Sequence, residues 1–456
     1  MQSKTRRLSF GKEYFKDSLV QTRQNAKFIR FIFQTLKEFD FVPKVIMEAG
    51  IGDHLFAKKL SRIFLPSKFY LLDMNPVFVE SISKEVVNPV PIVKNFIELN
   101  ESLFEEKPDL IVSTNALHWL PSNRKCDEND FWYRSVKNFY SVLKEGGFFF
   151  IHQGLKWTYF PYYDLACDLF ESKYRKRPDL KEVLYYPVFS EFRARLRHAG
   201  FKIVDEKEFY ELELFDNAPY TREELTKSFA VAGLNAVLAF IEDEKEKENF
   251  RTEFKSLCAI MEPPVFSHRG FIALRKPVSS VVFRVISPGS ANEKDRRILE
   301  DLLREVSNDF YPPLDVRGPD DTHFTTLKGR DYYLNELLCN YHLIFAFYEN
   351  EVSGFFAFRE KESFCFPGKR AIYISTFAVR RKYRRCGIGK QLFDHFFEIL
   401  PDFTAGRKIL LVETRTWSMN EKSSSLLLKS GFELAKRIEN HRGEGIHTDY
   451  YVKFLI

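Results

Sequence analysis

The chain has 456 residues, 45% apolar and 29% charged, the composition of a globular protein in water. Single hydrophobic cores stop growing beyond roughly 250–300 residues, so two domains are expected. The net charge of +6 is small beside 69 basic and 63 acidic residues. It argues against a nucleic-acid binder, whose basic residues concentrate on one face, and anionic cofactors account for the excess equally well.

Taken in order, the first half alternates helices and strands. A helical pattern covers about 18–39, followed by a strand VIMEA (45–49) and a helix from about 54 to 63. A strand FYLLD (69–73), a helix near 76–86, a strand PIVKN (91–95) and a strand DLIVSTN (109–115) come next. A helix over 131–143 leads through Glu145-Gly146-Gly147 to the strand FFFIHQ (148–153). A helix near 189–199 and a strand over 201–214 complete the series, with Phe271–Leu274 as the second strand of an antiparallel hairpin at the sheet edge. Strands alternating with helices predict an α/β fold with a parallel, doubly wound sheet.

The segment 276–295, with Lys276-Pro277 and Pro288-Gly289, predicts a boundary near 277–281. Domains over 1–277 and 281–456 follow. The charged run at 242–248 is a solvated helix end or loop rather than a linker, and no internal repeat is present. The second half reads as a strand (281–286), two helices (293–306 and about 329–340), then strands over 343–350, 354–360 and 371–379. An amphipathic helix runs to Leu400. A strand (408–414), a helix (420–430) and strands over 432–438 and 448–455 close an α+β domain with a central mixed sheet.

Six cysteines, at 126, 167, 258, 339, 365 and 386, form no C-x-x-C pair and no metal-ligand spacing. No metal is expected, and a reducing, cytoplasmic compartment is. The basic N-terminus has no apolar segment behind it, and no run of ~18 uncharged apolar residues occurs, so neither a signal peptide nor a membrane partner is expected.

In the first half, Glu48-Ala49-Gly50-Ile51-Gly52-Asp53 lies between a strand and a helix. Its glycines let the main chain turn tightly and approach a ligand. Asp73, 21 residues beyond Gly52, ends the second strand, where a carboxylate can accept from both hydroxyls of a ribose. The bland alternative is an incidental glycine turn and a surface Asp. With these residues the chain resembles the class I S-adenosylmethionine (SAM)-dependent methyltransferases. The resemblance covers about 10–276 and implies cofactor contacts at Glu48, Gly50, Gly52 and Asp73, with Asn95 and Phe96 near the adenine. His54 stands where the family has a third glycine. Ser113 to Leu120, with Asn115-Ala116-Leu117-His118-Trp119 at its centre, resembles the trans-aconitate methyltransferases and more loosely the malonyl-carrier-protein methyltransferases, and adds Asn115 to the cofactor set. Tyr220-Thr221-Arg222 through Arg269–Arg275 resembles the former group; Phe10, Tyr14 and Gln24 resemble the latter.

Both groups methylate a free carboxylate. That nucleophile is already ionised at neutral pH (ordinary pKa about 4) and needs alignment more than a base. His118 and Trp119 are candidates to line the methyl-transfer cavity, with a satisfied core histidine the alternative for His118. Tyr14, Tyr185, Tyr186, Arg193 and Arg197 are candidates to hold an acidic substrate, the two arginines otherwise being solvated surface charges.

In the second half, Arg384-x-x-Gly387-x-Gly389 falls between a strand and a helix. Main-chain N–H groups at a helix start bind phosphate, and nearby cations add charge-assisted contacts. A basic loop with an N-cap glycine, or a nucleic-acid-binding turn, are the alternatives, but neither anticipates Asn420 and then Leu426 to Phe432 downstream. Together these motifs resemble the GNAT N-acetyltransferases over about 281–456. The resemblance implies acetyl-CoA, with strand 371–379 (Phe377 and Val379 included) along the pantetheine, Arg384, Arg385, Gly387, Gly389 and Lys390 at the pyrophosphate, and Asn420 after the fifth strand. Leu427 stands where the family often has an acidic tyrosine; Ser423, Ser424 or water are substitutes. Glu413 and His447 are candidate bases, each otherwise an ordinary paired or surface residue. The expected activity is methyl and acetyl transfer to small molecules bearing a carboxylate and an amine. Two alternatives stay open: a purely binding or regulatory half, and protein substrates.

Overall fold

The computed structural model describes residues 19–51, 54–122, 125–155, 160–180, 184–211, 234, 236–261, 267–311, 313–314, 329–407 and 409–455. Two compact units, Met1–Pro277 and Val278–Ile456, divide the chain.

The first unit runs α1 (Leu19–Glu38), β1 (Val45–Ala49), α2 (His54–Phe64), β2 (Lys68–Asp73), α3 (Pro76–Ser83), β3 (Pro89–Val93), β4 (Leu110–Thr114), α4 (Phe131–Val142) and β5 (Phe148–Gly154). Then come α5 (Phe160–Tyr174), α6 (Phe189–His198), β6 (Lys202–Glu211), α7 (Glu244–Met261) and β7 (Ser267–Arg275). Local chemistry starts the helices: Asn75 accepts from Val77 N at 3.0 Å ahead of Pro76, and Asp130 accepts from Tyr133 N at 2.7 Å. The sheet order is β3-β2-β1-β4-β5-β7-β6. β1, β4 and β5 are buried throughout, as continuous apolar parallel strands with helices on both faces must be. One core layer gathers α1, α2 and α3 against Ile46, Leu71 and Phe150; the other gathers α4 and α6 against Met47, Ile111 and Phe149.

From β1 the chain winds outward through β2 and β3, then returns to β4 on the other side of β1. That reversal opens a crevice at the carboxyl ends of β1 and β4, where such sheets bind ligands. The antiparallel hairpin expected at the edge is present, with Phe271–Leu274 in its second strand. β7 lies antiparallel between β5 and β6, so the later strand is the inner one. Its apolar run Phe271–Leu274 needs cover on both faces, and the more polar β6 takes the edge.

The second unit runs β8 (Val282–Ile286), α8 (Glu293–Val306), α9 (Gly329–Asn340), β9 (His342–Tyr348), β10 (Glu351–Glu362), β11 (Arg370–Val379), α10 (Ile388–Thr404), β12 (Ile409–Trp417), α11 (Glu421–Lys429), β13 (Glu433–Ile438) and β14 (Thr448–Phe454). Its order is β13-β14-β12-β11-β10-β9-β8. α10 and α11 cover the face carrying Phe356, Ile374 and Val412; α8 and α9 cover the one carrying Phe345, Phe355 and Ala357. β11 and β12 run parallel and pair over Arg370–Ile374 and Ile409–Thr414. Beyond Thr414, β12 continues to Trp417 paired with β14, while β11 continues to Val379 paired with β10. The two central strands therefore part. The Thr414 hydroxyl donates to Ile374 O at 3.0 Å where they do so.

Candidate active sites

The first corner follows β1. Gly50 takes φ +81°, and a methyl group added there would overlap the Ala116 side chain and meet Phe96 Cζ at 3.3 Å. Gly50 N donates to Leu72 O at 2.8 Å. Asp73 then ties the corner together, accepting from Ile51 N and Asn75 N at 2.9 Å each. Burial raises its pKa, and the N–H groups oppose that rise. A carboxylate has about four acceptor sites, so these bonds leave capacity for a ribose hydroxyl. Glu48 lies fully buried in β1. Asn95 caps the turn Phe96–Glu98, its Oδ1 accepting from Ile97 N at 3.2 Å; Phe96 closes the corner from the β3 side. Gly52, Phe10, Tyr14, Gln24's side chain and Tyr220 to Arg222 lie outside what is described. Bare main chain at the switch point, with a carboxylate ending β2, fits a nucleoside-bearing donor.

Beside this corner the ends of β4, β5 and β7 converge on buried polar groups. Asn115, at φ +50°, accepts from Arg269 Nη1 at 2.6 Å. Arg269 is 2% exposed. His118 is 4% exposed, its ring 5.1 Å from that of Tyr186 and 4.7 Å from that of Trp119, while Tyr163 and Tyr186 join hydroxyls at 3.0 Å. Burial, aided by the charge of Arg269, pushes the His118 pKa down to about 3. Burial, then Arg269 and His118, lower that of His152 at the end of β5 well below its ordinary value. Both imidazoles are thus neutral beside a buried cation. Gln153 donates to Tyr185 O at 3.2 Å, and Tyr185 N donates to His118 O at 2.8 Å, strapping the lining in place.

The structure separates the expected substrate-holding residues. Tyr186 joins this group, its ring stacked on that of His118. Tyr185 does not: its ring packs between Trp132 and Arg195 and its hydroxyl donates to Glu191, because the backbone that straps His118 turns the side chain into the core. Arg193 pairs with Glu206 at 2.6 Å in a separate cleft of about 510 Å³, and Arg197 is exposed on α6. In the sequence Arg269 stands out only as part of the tail that resembles the trans-aconitate group, without a role, and the one signal for His152 is a histidine ending an otherwise apolar strand.

In the second unit, Gly387 takes φ +94° and caps the 17-residue α10. A methyl group on Gly389 would meet Phe377 Cζ at 3.1 Å, so the helix start lies close on the end of β11. The basic residues around it divide. Arg384 donates to Val379 O at 2.9 Å and pairs with Asp309; Arg380 pairs with Glu305 at 2.8 Å. These hold the loop. Arg385, at φ +64°, and Lys390, paired with Asp394, are the exposed cations at the helix start. Half-buried Phe377 and Val379 lie on the part of β11 from which β12 has parted. Asn420 caps α11, accepting from Ser423 N at 3.3 Å and donating to Thr416 Oγ1 at 3.1 Å. An unpaired strand edge leading to a helix start fits a long pantetheine arm ending in a pyrophosphate.

The two expected bases are not brought together. Glu413 is 0% exposed, and its oxygens accept from the Ser363 hydroxyl at 2.6 Å, Phe364 N at 3.2 Å and Cys365 N at 3.1 Å. A carboxylate so engaged anchors the β10–β11 turn rather than taking a proton from a substrate. His447 sits in the β13–β14 turn, its N–H donating to Ser418 Oγ at 3.0 Å and its Nδ1 pairing with Glu439 at 2.8 Å. His447 lies opposite Ser418, so the two are roughly 17 Å apart along β12, five steps of strand rise. Leu427 is 4% exposed in the core under α11.

The methyltransferase-domain family matches residues 47–151, and the GNAT acetyltransferase family matches residues 300–432. The chain joins a methyltransferase domain to a GNAT acetyltransferase domain. It is a SAM-dependent methyltransferase and an acyl-CoA N-acyltransferase, with SAM and acetyl-CoA as donors. A curated relative, malonyl-[acyl-carrier protein] O-methyltransferase 1 of Ilyobacter polytropus, is 27% identical over 252 residues, spanning 55% of this chain and 82% of the relative. Among solved structures, the N-methyltransferase NodS of Bradyrhizobium japonicum, in complex with S-adenosyl-L-homocysteine, aligns at 13% identity and TM-score 0.29 over 42% of this chain and 81% of its own. A GNAT-family acetyltransferase of Streptococcus pneumoniae aligns at 17% and 0.28 over 39% and 100%. All six cysteines are free thiols. Among the described residues no helix is long and apolar enough to cross a membrane, and no group of side chains could hold a metal ion.

Proposed function

We propose that the first domain methylates a carboxylate oxygen of a small molecule and that the second acetylates an amine. The observation that carries the first half is Arg269, a buried guanidinium beside two neutral imidazoles. A buried cation favours an anionic acceptor, which it can fix with paired N–H groups. A histidine with a pKa near 3 is too weak a base to deprotonate an alcohol or an ammonium group, so the nucleophile must arrive already deprotonated, as a carboxylate does. SAM supplies an electrophilic methyl group on a sulfonium. Glu48, Gly50, Gly52, Asp73, Asn95, Phe96 and Asn115 hold it in this reading. Arg269 orients the acceptor, and His118 shapes the cavity between them without moving a proton. The activity of the Ilyobacter relative, O-methylation of malonyl-acyl-carrier protein, is of the same kind.

In the second domain, acetyl-CoA supplies a thioester carbonyl. Phe377 and Val379 flank its arm, while Arg385, Gly387, Gly389 and Lys390 meet the pyrophosphate. Arg384 holds that loop, and Asn420 fixes the start of α11 beside the parted strands. His447 stands beside the end of β12 that has parted from β11 and takes the amine proton through water. With Leu427 at the family's acid position, the thiolate leaves without a tyrosine there; an ordinary thiol pKa of about 8.5 makes this tolerable. The free thiols suit a reducing compartment such as the cytoplasm.

The test is incubation of the full chain with methyl-labelled SAM and a panel of carboxylic acids, their amides, amines and alcohols, read by mass spectrometry. Methyl esters are expected, falling on the order of 100-fold with Arg269→Gln. Methylated amines or alcohols with every acid inert would overturn the reading.

A further inference from the structure

At the end of the first unit opposite the donor crevice, α1, α2 and the loops that follow them carry an apolar patch flanked by cations. Phe33 of α1 and Phe64 of α2 stack at 5.5 Å, and Phe64 packs inward against the core. Around this pair Phe33, Val42, Ile63 and Leu65 are between 42% and 73% exposed. Val42 lies in the loop ahead of β1 and Leu65 in the loop ahead of β2. Ser67 N donates to Lys44 O at 2.8 Å, so the two loops run side by side. Leu65 takes φ +46°, a left-handed position that after a helix usually falls to glycine or asparagine. A leucine there strains the backbone and faces water.

Arg30 and Lys37 stand one turn either side of Phe33 on α1, and Lys59 and Arg62 adjoin Ile63 on α2. All four are exposed, and none makes an ion pair or side-chain hydrogen bond among the described residues. Lys37 and Arg62, in the last turns, suit the helix dipoles, but Arg30 and Lys59 lie beyond that reach. Glu38, the one acid of the two helices, is itself engaged, and Asp40 is the one acid of the adjoining loops. The charge therefore asks for anions and the exposed side chains for an apolar medium. A nucleic acid would satisfy the cations and leave Val42 and Leu65 idle. Side chains as exposed as these two stand proud of the surface and line no groove, so a partner helix finds no seat. They suit a soft surface that they can enter, the boundary between headgroups and acyl chains of an anionic leaflet, with the cations at headgroup level.

We propose that this face docks the protein on an anionic lipid surface, with Phe33, Val42, Ile63 and Leu65 entering the headgroup boundary and Arg30, Lys37, Lys59 and Arg62 meeting the lipid anions. Among the described residues no helix is long and apolar enough to cross a membrane, so the attachment is peripheral. Val42 and Leu65 lie at the amino ends of β1 and β2, one strand length, roughly 16 Å, from the donor crevice at the carboxyl ends. Docking therefore points the crevice away from the bilayer, and the inference does not depend on which acceptor the domain methylates.

The experiment sediments the full chain with vesicles of phosphatidylcholine alone and of phosphatidylcholine with one-third phosphatidylserine. Binding to the anionic vesicles alone is expected, and it should weaken as salt rises. Each cation near such a surface is worth about fivefold in partition, so Lys59→Gln with Arg62→Gln should weaken binding roughly 10–30-fold. Leu65→Asn should weaken it about 10-fold while its melting temperature holds or rises, because asparagine tolerates the left-handed turn. Lys245→Gln with Lys255→Gln removes the same charge from the exposed side of α7 and should change little. Calorimetry with SAM should give one affinity for all these proteins, which shows that the variants fold. No binding to the anionic vesicles overturns the proposal and leaves the patch to an acidic protein partner. Binding that survives both patch variants overturns it as well, as does an equal loss in the α7 variant, which would make net charge the cause.

Discussion

Gly50→Ala tests whether the first donor corner works through its bare main chain. An L-residue at φ +81° costs about 1–2 kcal/mol from clash with its own carbonyl. The added methyl must also displace Ala116, in the turn that carries His118, and press on Phe96. Overpacking of that kind costs about 1–3 kcal/mol, for a sum of about 2–5 kcal/mol. In a unit of this size that is a fall in melting temperature on the order of 5–15 °C. Because the loop is tied on both sides, to Leu72 O and to Asp73, the strain cannot be relieved locally, and SAM affinity should fall ~100-fold or more with it. Differential scanning calorimetry and titration with SAM give the two numbers. The double variant Gly50→Ala, Ala116→Gly removes the overlap but not the φ strain, so it should regain the packing part alone. A Gly50→Ala protein that melts with the unaltered chain and binds SAM equally well would refute the geometry.

Three further outcomes follow from particular residues. His152 and His118 have folded-state pKa values below the unfolded value near 6.5, so the unfolded chain binds more protons beneath that pH; stability is complete above it and is lost as pH falls, by up to about 1.4 kcal/mol per pH unit for each. His152→Phe, among Phe28 and Phe271, should flatten the fall in urea midpoint between pH 7.5 and 5, and an unchanged slope counts against it. Glu413→Gln should cost about 1–3 kcal/mol in stability by weakening the 363–365 turn. The pH profile of acetyl transfer should stay put, and a displaced profile would reinstate this carboxylate as a base. Arg385→Ala with Lys390→Ala should raise KM for acetyl-CoA roughly 3–10-fold, with an effect that shrinks as salt rises. Arg384→Ala should instead lower the melting point, and the reverse assignment of effects would sink the division made here.

The donor corners could be read from sequence and the acceptor pockets could not, for a physical reason. A nucleotide is bound largely by main chain at a strand-to-helix turn, so Gly50 with Asp73, and Gly387 with Gly389, announce themselves within a few residues of local pattern. An acceptor is bound by side chains that only the sheet register brings together. Arg269 meets Asn115 across 154 positions of chain, because β7 doubles back antiparallel beside β5. The same register explains the failures. Glu413 has the residue type of a base, but a fully buried strand position opposite Tyr373 aims it at the 363–365 turn. Tyr185 follows the strap that holds His118 and so turns inward. A cation in an apolar strand end is therefore the more useful signal. Burying an arginine costs several kcal/mol unless an anion or a full set of acceptors meets it, and Arg269, 2% exposed, meets the Asn115 side-chain oxygen at the end of β4.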